Sequence, residues 1–468
     1  MRLLTMGGME AARLLVKTIK ALGYEAYIVG GTVRDILLNT VADDIDIATN
    51  CPMEELRLKF RTHDITKKKF EHLDLGVLLV SFQGTLFDVA QFRTEKGYDG
   101  RCPSEVKFVQ SLEEDVKRRD FTINALAMDE DYNVIDYVGG REDLEKRVVR
   151  SVGDPEQRFK EDYLRMMRAA RFAAKTGFVL DKGTAKAIQK LANNINKMSA
   201  ERISMEIIKA ARMSSLEFSK FIKILSDLGL LRRILPEIDA LKYLKHNLKF
   251  HPEGITVFDH VIETIKAVSD DIALSYVVKI AALLHDIGKS TTFSEGDGLP
   301  HYYRHEQAGK GLVEDVLKRL RFMGSIADPV LFAVSNHMLF TNMDNMKRGK
   351  VARIVSHPFF RILVEVGRAD SKSRGAVYHN DKEFDDQIRK FEEIRNRWEK
   401  FLGAKPLNIV DGNRIMELTS LGPGRAIGKI KKAAEEKVIE LSINPLDTSR
   451  IDDVILEAYH EITKGVVV

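Results

Sequence analysis

The chain opens with apolar positions at helical spacing. From about residue 9 to 22 they recur every three to four places and stop at Gly23, which predicts an amphipathic helix. EAYIVGG then reads as a short apolar strand closed by two glycines, and VRDILL resumes helical spacing. DDIDIAT, residues 43–49, predicts a second strand. VLLVSFQGTLFDVAQF, residues 77–92, predicts a hairpin turning on Gln83-Gly84. Residues 93–107 are polar and glycine-containing and predict a loop. Helical patterns dominate from about residue 111 onward, so a small mixed α/β region precedes an almost wholly helical remainder.

Composition narrows the class without naming a function. The 468 residues are enough for two to four domains, and 44% hydrophobic with 30% charged residues fits a soluble chain. A net charge of +4 requires any nucleic-acid contact to come from a local basic face. Only Cys51 and Cys102 are present, which excludes a disulfide framework and a thiolate zinc site. They form either one bridge or two reduced thiols. No apolar run approaches the ~20 residues a membrane helix needs, and the expected location is cytoplasmic.

Two side-chain constellations carry chemistry. In the first, Asp44 and Asp46 are two apart in the expected strand, so their carboxylates share a face. Such a pair repels unless a hard cation lies between, and Mg²⁺ with phosphate oxygens completing its shell suits it. Gly30 and Gly31, between strand and helix, allow backbone to approach a phosphate. Arg34 adds a charged fork to the same phosphates, and Asp35 supports the loop. Asp162, Arg165 and Arg168 are three apart, on one expected helix face, either as a hydrogen-bonding edge or as surface ion pairs.

The second constellation is histidine-rich. Nine of the twelve histidines, at 246, 251, 260, 285, 301, 305, 337, 357 and 379, fall in residues 246–379, where even spreading would put about three or four. His260, His285, Asp286, His305, His337 and Asp370 stand in the order H…HD…H…H…D. Imidazoles with carboxylates suit Mn²⁺, Fe²⁺, Co²⁺, Ni²⁺ or Zn²⁺ better than Mg²⁺.

GGTVRDILL and DDIDIAT resemble the core of the DNA polymerase β nucleotidyltransferase superfamily, in the class II branch of CCA-adding tRNA nucleotidyltransferases and bacterial poly(A) polymerases. RRDFTINALAM (118–128), DYVGGREDL (136–144), RFKEDYLRMMRAARF (158–172) and ERISMEI (201–207) follow in that family's order. LLHDIGK resembles the signature of the HD superfamily of metal-dependent phosphohydrolases, a domain carried by some bacterial members of this branch. The resemblance implies an α+β nucleotidyltransferase head, a mixed sheet with helices, over residues 1–145. An all-α body with the base-reading motif and a tRNA-binding surface would occupy 146–245, an all-α HD domain 246–400 and a helical tail 401–468.

It also implies roles. Asp44, Asp46 and a third carboxylate, with Asp88 the best candidate, would be catalytic, with Asp44 and Asp46 holding Mg²⁺. Arg119 and Asp120 would recognise the ribose. Asp162 and Arg165 would select CTP and ATP by imitating base pairing, with Arg168 supporting them or the triphosphate. His260, His285, Asp286 and Asp370 match the four-ligand HD core, His305 and His337 the positions that admit a second metal, and Lys289 would sit near a substrate phosphate. Arg425, Lys429, Lys431 and Lys432 in the tail would follow the tRNA backbone or form a solvated basic face.

Departures bear on the substrate. Leu75 stands where relatives often carry histidine, and DVAQFR replaces a more usual EVTTFR, which leaves the third carboxylate open. The arginine-rich element usual in poly(A) polymerases is missing from LRLKFRTHDITKKKF, which favours tRNA. The expectation is CCA addition to tRNA from CTP and ATP, with an accessory HD phosphohydrolase. The alternatives are poly(A), CC-only or A-only addition, or an RNA- or nucleotide-binding regulator with HD phosphodiesterase activity alone.

Overall fold

A computed structural model describes residues 6–42, 44–64, 75–98, 103–246, 256–343, 346–374, 380–402, 410–441, 443 and 447–464. The chain forms two compact units, Met1–Met213 with Lys220–Pro236, and Ser214–Ser219 with Glu237–Val468.

The first unit begins with the helix Met6–Ala21, whose Ala12, Leu15, Val16 and Ile19 are fully buried. Strands β1 (Ala26–Val29), β2 (Asp46–Thr49), β3 (Arg61–Asp64), β4 (Val77–Phe82) and β5 (Thr85–Gln91) follow. After them come β6 (Arg93–Lys96), β7 (Glu105–Phe108), β8 (Ala127–Met128) and β9 (Val134–Ile135). Seven make one mixed sheet in the order β3-β4-β5-β2-β1-β8-β9, in which β2 and β5 run parallel and the other neighbours antiparallel. The β4–β5 hairpin turns on Gln83-Gly84, both at positive φ, as the primed turns of two-residue hairpins require. Alternation sets its faces: Leu78, Val80, Phe87 and Val89 are buried, while Asp88 lies on the other face.

Three expectations are corrected here. The strand expected over 43–49 starts only at Asp46, with Asp44 in the bend before it. The loop expected over 93–107 is largely a two-stranded ribbon, β6 paired antiparallel to β7, with residues 99–102 and so Cys102 outside the described residues. The expected single helix through Asp162, Arg165 and Arg168 is two helices, Pro155–Glu161 and Leu164–Thr176, with Asp162 extended between them (φ −149°, ψ 105°). Asp154 caps the first helix and Pro155 stands in its first turn, a strong start that helical periodicity alone hides.

The rest of the first unit is helical except for a short parallel pair, Val148–Val149 with Val179–Leu180. In the second unit the helices Val257–Ala267, Ser275–Leu284, His305–Arg319, Gly324–Asn336 and Phe360–Ser373 surround the histidines. A small hairpin, Ser294–Gly296 with Leu299–His301, interrupts what was expected to be all helix. The tail helices Gly412–Thr419, Arg425–Glu440 and Thr448–Lys464 enclose their own core of Ile415, Ile430, Ala434, Val438 and Ile455. No described helix is long and apolar enough to cross a membrane.

Ile47 is fully buried in β2, directly beside Asp46. Ile47→Ala should cost about 2–5 kcal/mol, the transfer loss plus the cavity left in a central strand. The denaturant midpoint of the unit's unfolding transition measures it.

Candidate active site and metal centre

The head site grows from one register. In the parallel ladder between β2 and β5, Asp46 is paired with Asp88, so two carboxylates from distant sequence become neighbours. Thr32, the residue after the two glycines, holds the approach to β2: its hydroxyl donates to the Asp44 carbonyl (3.0 Å) and accepts from the Asp46 amide (3.4 Å). Burial raises the Asp46 carboxyl to about 6, with Asp44 and Asp88 adding to the rise and Arg119 opposing it. Burial and Asp44 likewise raise Asp88. Acids that raise one another's protonation are a site a divalent cation relieves.

Gly30 sits at φ +76°, and a Cβ there would lie 3.3 Å from Arg119 Nη1 and 3.5 Å from Asp46 Oδ2. The glycine is therefore needed both for its left-handed backbone and for the approach of the acid and the guanidinium. Arg119 is anchored by Asp115 (3.1 Å), while its Nε and the Asn124 Nδ2 are buried donors without a hydrogen-bond partner.

Other expected contacts are arranged differently. Arg34 is only 2% exposed and is taken up by Asp35 (2.8 Å) and the Asn124 side chain, so it braces the glycine turn where a fork on phosphate was expected. Asp120 is held by Arg168 (2.7 Å), and although burial works against ionisation, Arg168 and Arg165 keep its carboxyl below the usual range. Asp162 accepts from the Leu164 amide (3.0 Å) and from Arg202 (2.6 Å). Arg165 is bound by Glu161 and donates to the Arg158 carbonyl (3.0 Å).

Sequence reasoning missed Thr32, Asp115, Asn124, Glu161 and Arg202. Each lies inside or next to a motif already singled out, but which one pairs with which depends on contacts 4 to 90 residues apart. Arg425, Lys429 and Lys432 are exposed and Lys431 is half-buried. All four belong to the first half of the helix Arg425–Glu440, and Arg425, in its first turn, opposes the helix dipole.

The second unit brings its six expected residues together. Asp286 stands at the centre: Oδ2 is 3.3 Å from His285 Nε2 and 3.7 Å from His260 Nε2, and Oδ1 is 3.4 Å from His305 and 3.9 Å from His337. Asp370 Oδ1 is 3.0 Å from His260 Nε2 and 3.9 Å from His285 Nε2. Two groups result, His260–His285–Asp370 and Asp286–His305–His337, each with its donor atoms within 4.8 Å of one another. Among the described residues, clusters of this tightness occur only in this unit. Gly288 makes the second group possible, because a Cβ there would lie 1.9 Å from the His305 carbonyl oxygen.

Every imidazole is oriented from behind. Nδ1 meets the Ala282 carbonyl in His285 (2.7 Å), the Tyr302 carbonyl in His305 (2.9 Å) and the Val334 carbonyl in His337 (2.7 Å), while His260 meets the Ser373 hydroxyl (3.2 Å). Outer bonds of this kind turn Nε2 toward the centre, where His305 and His337 meet through Nε2 (3.1 Å), as metal ligands of one group require. Burial, helped by His305 and His285, lowers His337 to about 3, so its ring is neutral. Burial alone would raise Asp286 and Asp370, but Lys289 and Arg374 with the imidazoles keep both well below the carboxylate range. Lys289 itself is bound to Asp286 (2.6 Å). The donor set therefore fits a transition-metal centre in which Asp286 reaches both groups.

Comparisons with known proteins match three stretches of the chain. Residues 26–150 match the family model "Poly A polymerase head domain", 177–242 "Probable RNA and SrmB- binding site of polymerase A", and 257–359 "HD domain". A CCA-adding enzyme of Lactobacillus johnsonii is 44% identical over 245 residues, which cover 52% of this chain and 58% of the relative. Another from Limosilactobacillus reuteri is 48% identical over 201 residues, 43% of this chain and 49% of the relative. The chain thus spans about half the length of the curated relatives it matches. A crystal structure of the Bacillus stearothermophilus CCA-adding enzyme in complex with CTP superposes with a TM-score of 0.63 at 25% identity, over 97% of this chain and 98% of that one. In its head, its RNA-binding segment and its second unit, the chain is thus similar to the poly A polymerase head domain, the RNA-binding site of polymerase A and the HD domain.

Proposed function

We propose that this protein completes the 3′ ends of tRNA, adding CCA from CTP and ATP without a nucleic-acid template. The observation that carries the reading is the Asp44–Asp46–Asp88 set beside the Gly30 turn, in a head whose relatives are CCA-adding enzymes. Those three acids would hold Mg²⁺, which when bound activates the primer 3′-hydroxyl and neutralises the triphosphate during in-line displacement. Gly30 leaves room for the phosphates, and the Arg119 guanidinium beside it offers its charge to an oxygen of the nucleotide. Asp120, fixed by Arg168, places a charged acceptor for a ribose hydroxyl. Asp162 and Arg165 present acceptors and donors to the base edge, Asp162 being aimed by Arg202 and Arg165 by Glu161. The basic first half of the helix Arg425–Glu440 is a surface for phosphates. The HD centre is proposed as a phosphohydrolase site for 2′,3′-cyclic or terminal phosphates on RNA.

The reading is tested with tRNAs ending before CCA, after C and after CC, each given single nucleotides and Mg²⁺. Stepwise addition of C, C and A is expected, and abolished in Asp44→Ala and Asp46→Ala. A run of A, a stop after CC, or addition of A alone instead identifies one of the narrower activities. Because Asp46 keeps its proton up to about pH 6, protons compete with Mg²⁺ below that point. The Mg²⁺ concentration for half-maximal addition should rise as pH falls through 6, by up to about tenfold per pH unit.

Base selection is read from relative incorporation of CTP, ATP, UTP and GTP. Asp162→Ala should relax it by about 1–3 kcal/mol, the cost of an unpaired base edge, and Arg202→Ala should do so in the same direction by releasing Asp162. Equal loss with all four nucleotides would remove both residues from the selecting edge.

The metal chemistries differ, oxygen donors in the head and imidazoles in the HD domain. His285→Ala combined with Asp286→Ala should strip the transition metal and any phosphohydrolase activity, while Mg²⁺-dependent addition to tRNA persists. Metal analysis and thermal melting, run beside the addition assay, separate loss of the site from loss of the fold. A folded double mutant that no longer adds nucleotides contradicts the separation.

A further inference from the structure

The HD family model begins at residue 257, yet one histidine upstream of it enters the same buried volume. His246 is 4% exposed, and its ring stands edge-on to that of His260, with centroids 4.8 Å apart and planes at 76°. A donor nitrogen of His246 groups with donor atoms of His260 and Asp286, all within 4.8 Å of one another. The segment that delivers it is tied to the domain three times. Lys245 makes a β-bridge with Thr256, the Leu244 carbonyl accepts from the Val257 amide (2.9 Å), and the Lys245 carbonyl accepts from the Tyr302 hydroxyl (2.7 Å). Tyr302 also supplies the carbonyl that orients His305, so one residue supports both the upstream segment and a ligand of the second group.

We propose that His246 is a seventh donor of the HD centre, adding an imidazole on the side formed by His260 and Asp286. The inference rests on the HD region being a metal centre. Two ligands of one ion, each about 2.0–2.2 Å from it, stand some 3–4 Å apart, and the 4.8 Å bound on the observed grouping brackets that spacing. A fifth imidazole moves the donor balance further from Mg²⁺ and toward Fe²⁺, Co²⁺, Ni²⁺ or Zn²⁺.

The test uses the full chain and Co²⁺ alone, whose paramagnetism displaces the proton resonances of ligating imidazoles. Wild-type protein is expected to bind Co²⁺ and to show displaced exchangeable imidazole signals. His246→Gln should lose one of them and weaken Co²⁺ binding at least about tenfold, while the metal-free melting temperature stays unchanged. Wild-type binding with an unaltered spectrum and affinity in His246→Gln overturns the seventh donor. Failure of the wild type to bind Co²⁺ through imidazoles overturns the metal centre itself. Should His246→Gln not fold, Tyr302→Phe removes only the hydroxyl that holds the Lys245 carbonyl. It should weaken Co²⁺ binding in the same direction, and unchanged affinity with an unchanged spectrum then counts against the proposal.

Discussion

The pairing of β2 with β5 is the constraint on which the head depends. Those two strands are the parallel neighbours in the large sheet, and their register places Asp46 beside Asp88. A slip by one residue would turn one of the two carboxylates to the opposite face. Fully buried Ile47 and Val89 flank the pair and resist that slip, because each would have to leave the core. The acid cluster thus owes its position to hydrophobic side chains pointing away from it. Burial on one face enforces proximity of like charges on the other.

Around that cluster, the residues expected to meet the nucleotide are held by partners of opposite charge. Arg34 with Asp35, Arg119 with Asp115, Asp120 with Arg168 and Asp162 with Arg202 each fix a side chain that would otherwise sample several rotamers. Ordering these groups in advance lowers the entropy lost when a ligand arrives. Substituting one partner leaves the other as an uncompensated charge in a partly buried setting, so such pairs act as units. The HD centre follows the same logic with different chemistry, since its imidazoles are oriented from behind by three carbonyls and one hydroxyl.

Much of this was legible in the sequence because the signals are local. Alternation and Gln83-Gly84 give the hairpin, and the order of histidines and acids gives the six residues that meet in the second unit. What escaped depends on tertiary contact. The approach of Asp44 to Asp46 is set by Thr32 and not by strand pleat, because β2 begins three residues later than its alternation suggests. Arg34 looks like a phosphate ligand by spacing, but only the fold shows Asn124 and Asp35 already binding it. His246 stood among nine clustered histidines with nothing local to distinguish it, and a bridge to Thr256 brings it to His260.

The interruption at Asp162 has a consequence for how a protein surface can stand in for a template strand. Two groups on one continuous helix keep a separation fixed by its rise and twist. Here Asp162 is extended, and the helix carrying Arg165 starts only at Leu164. The distance between carboxylate and guanidinium is therefore governed by a few backbone torsions, a joint rather than a rod. Under the proposed function, cytosine and adenine require different donor and acceptor spacings from the same two side chains. A joint between those side chains sets their spacing by local torsions and not by helix geometry.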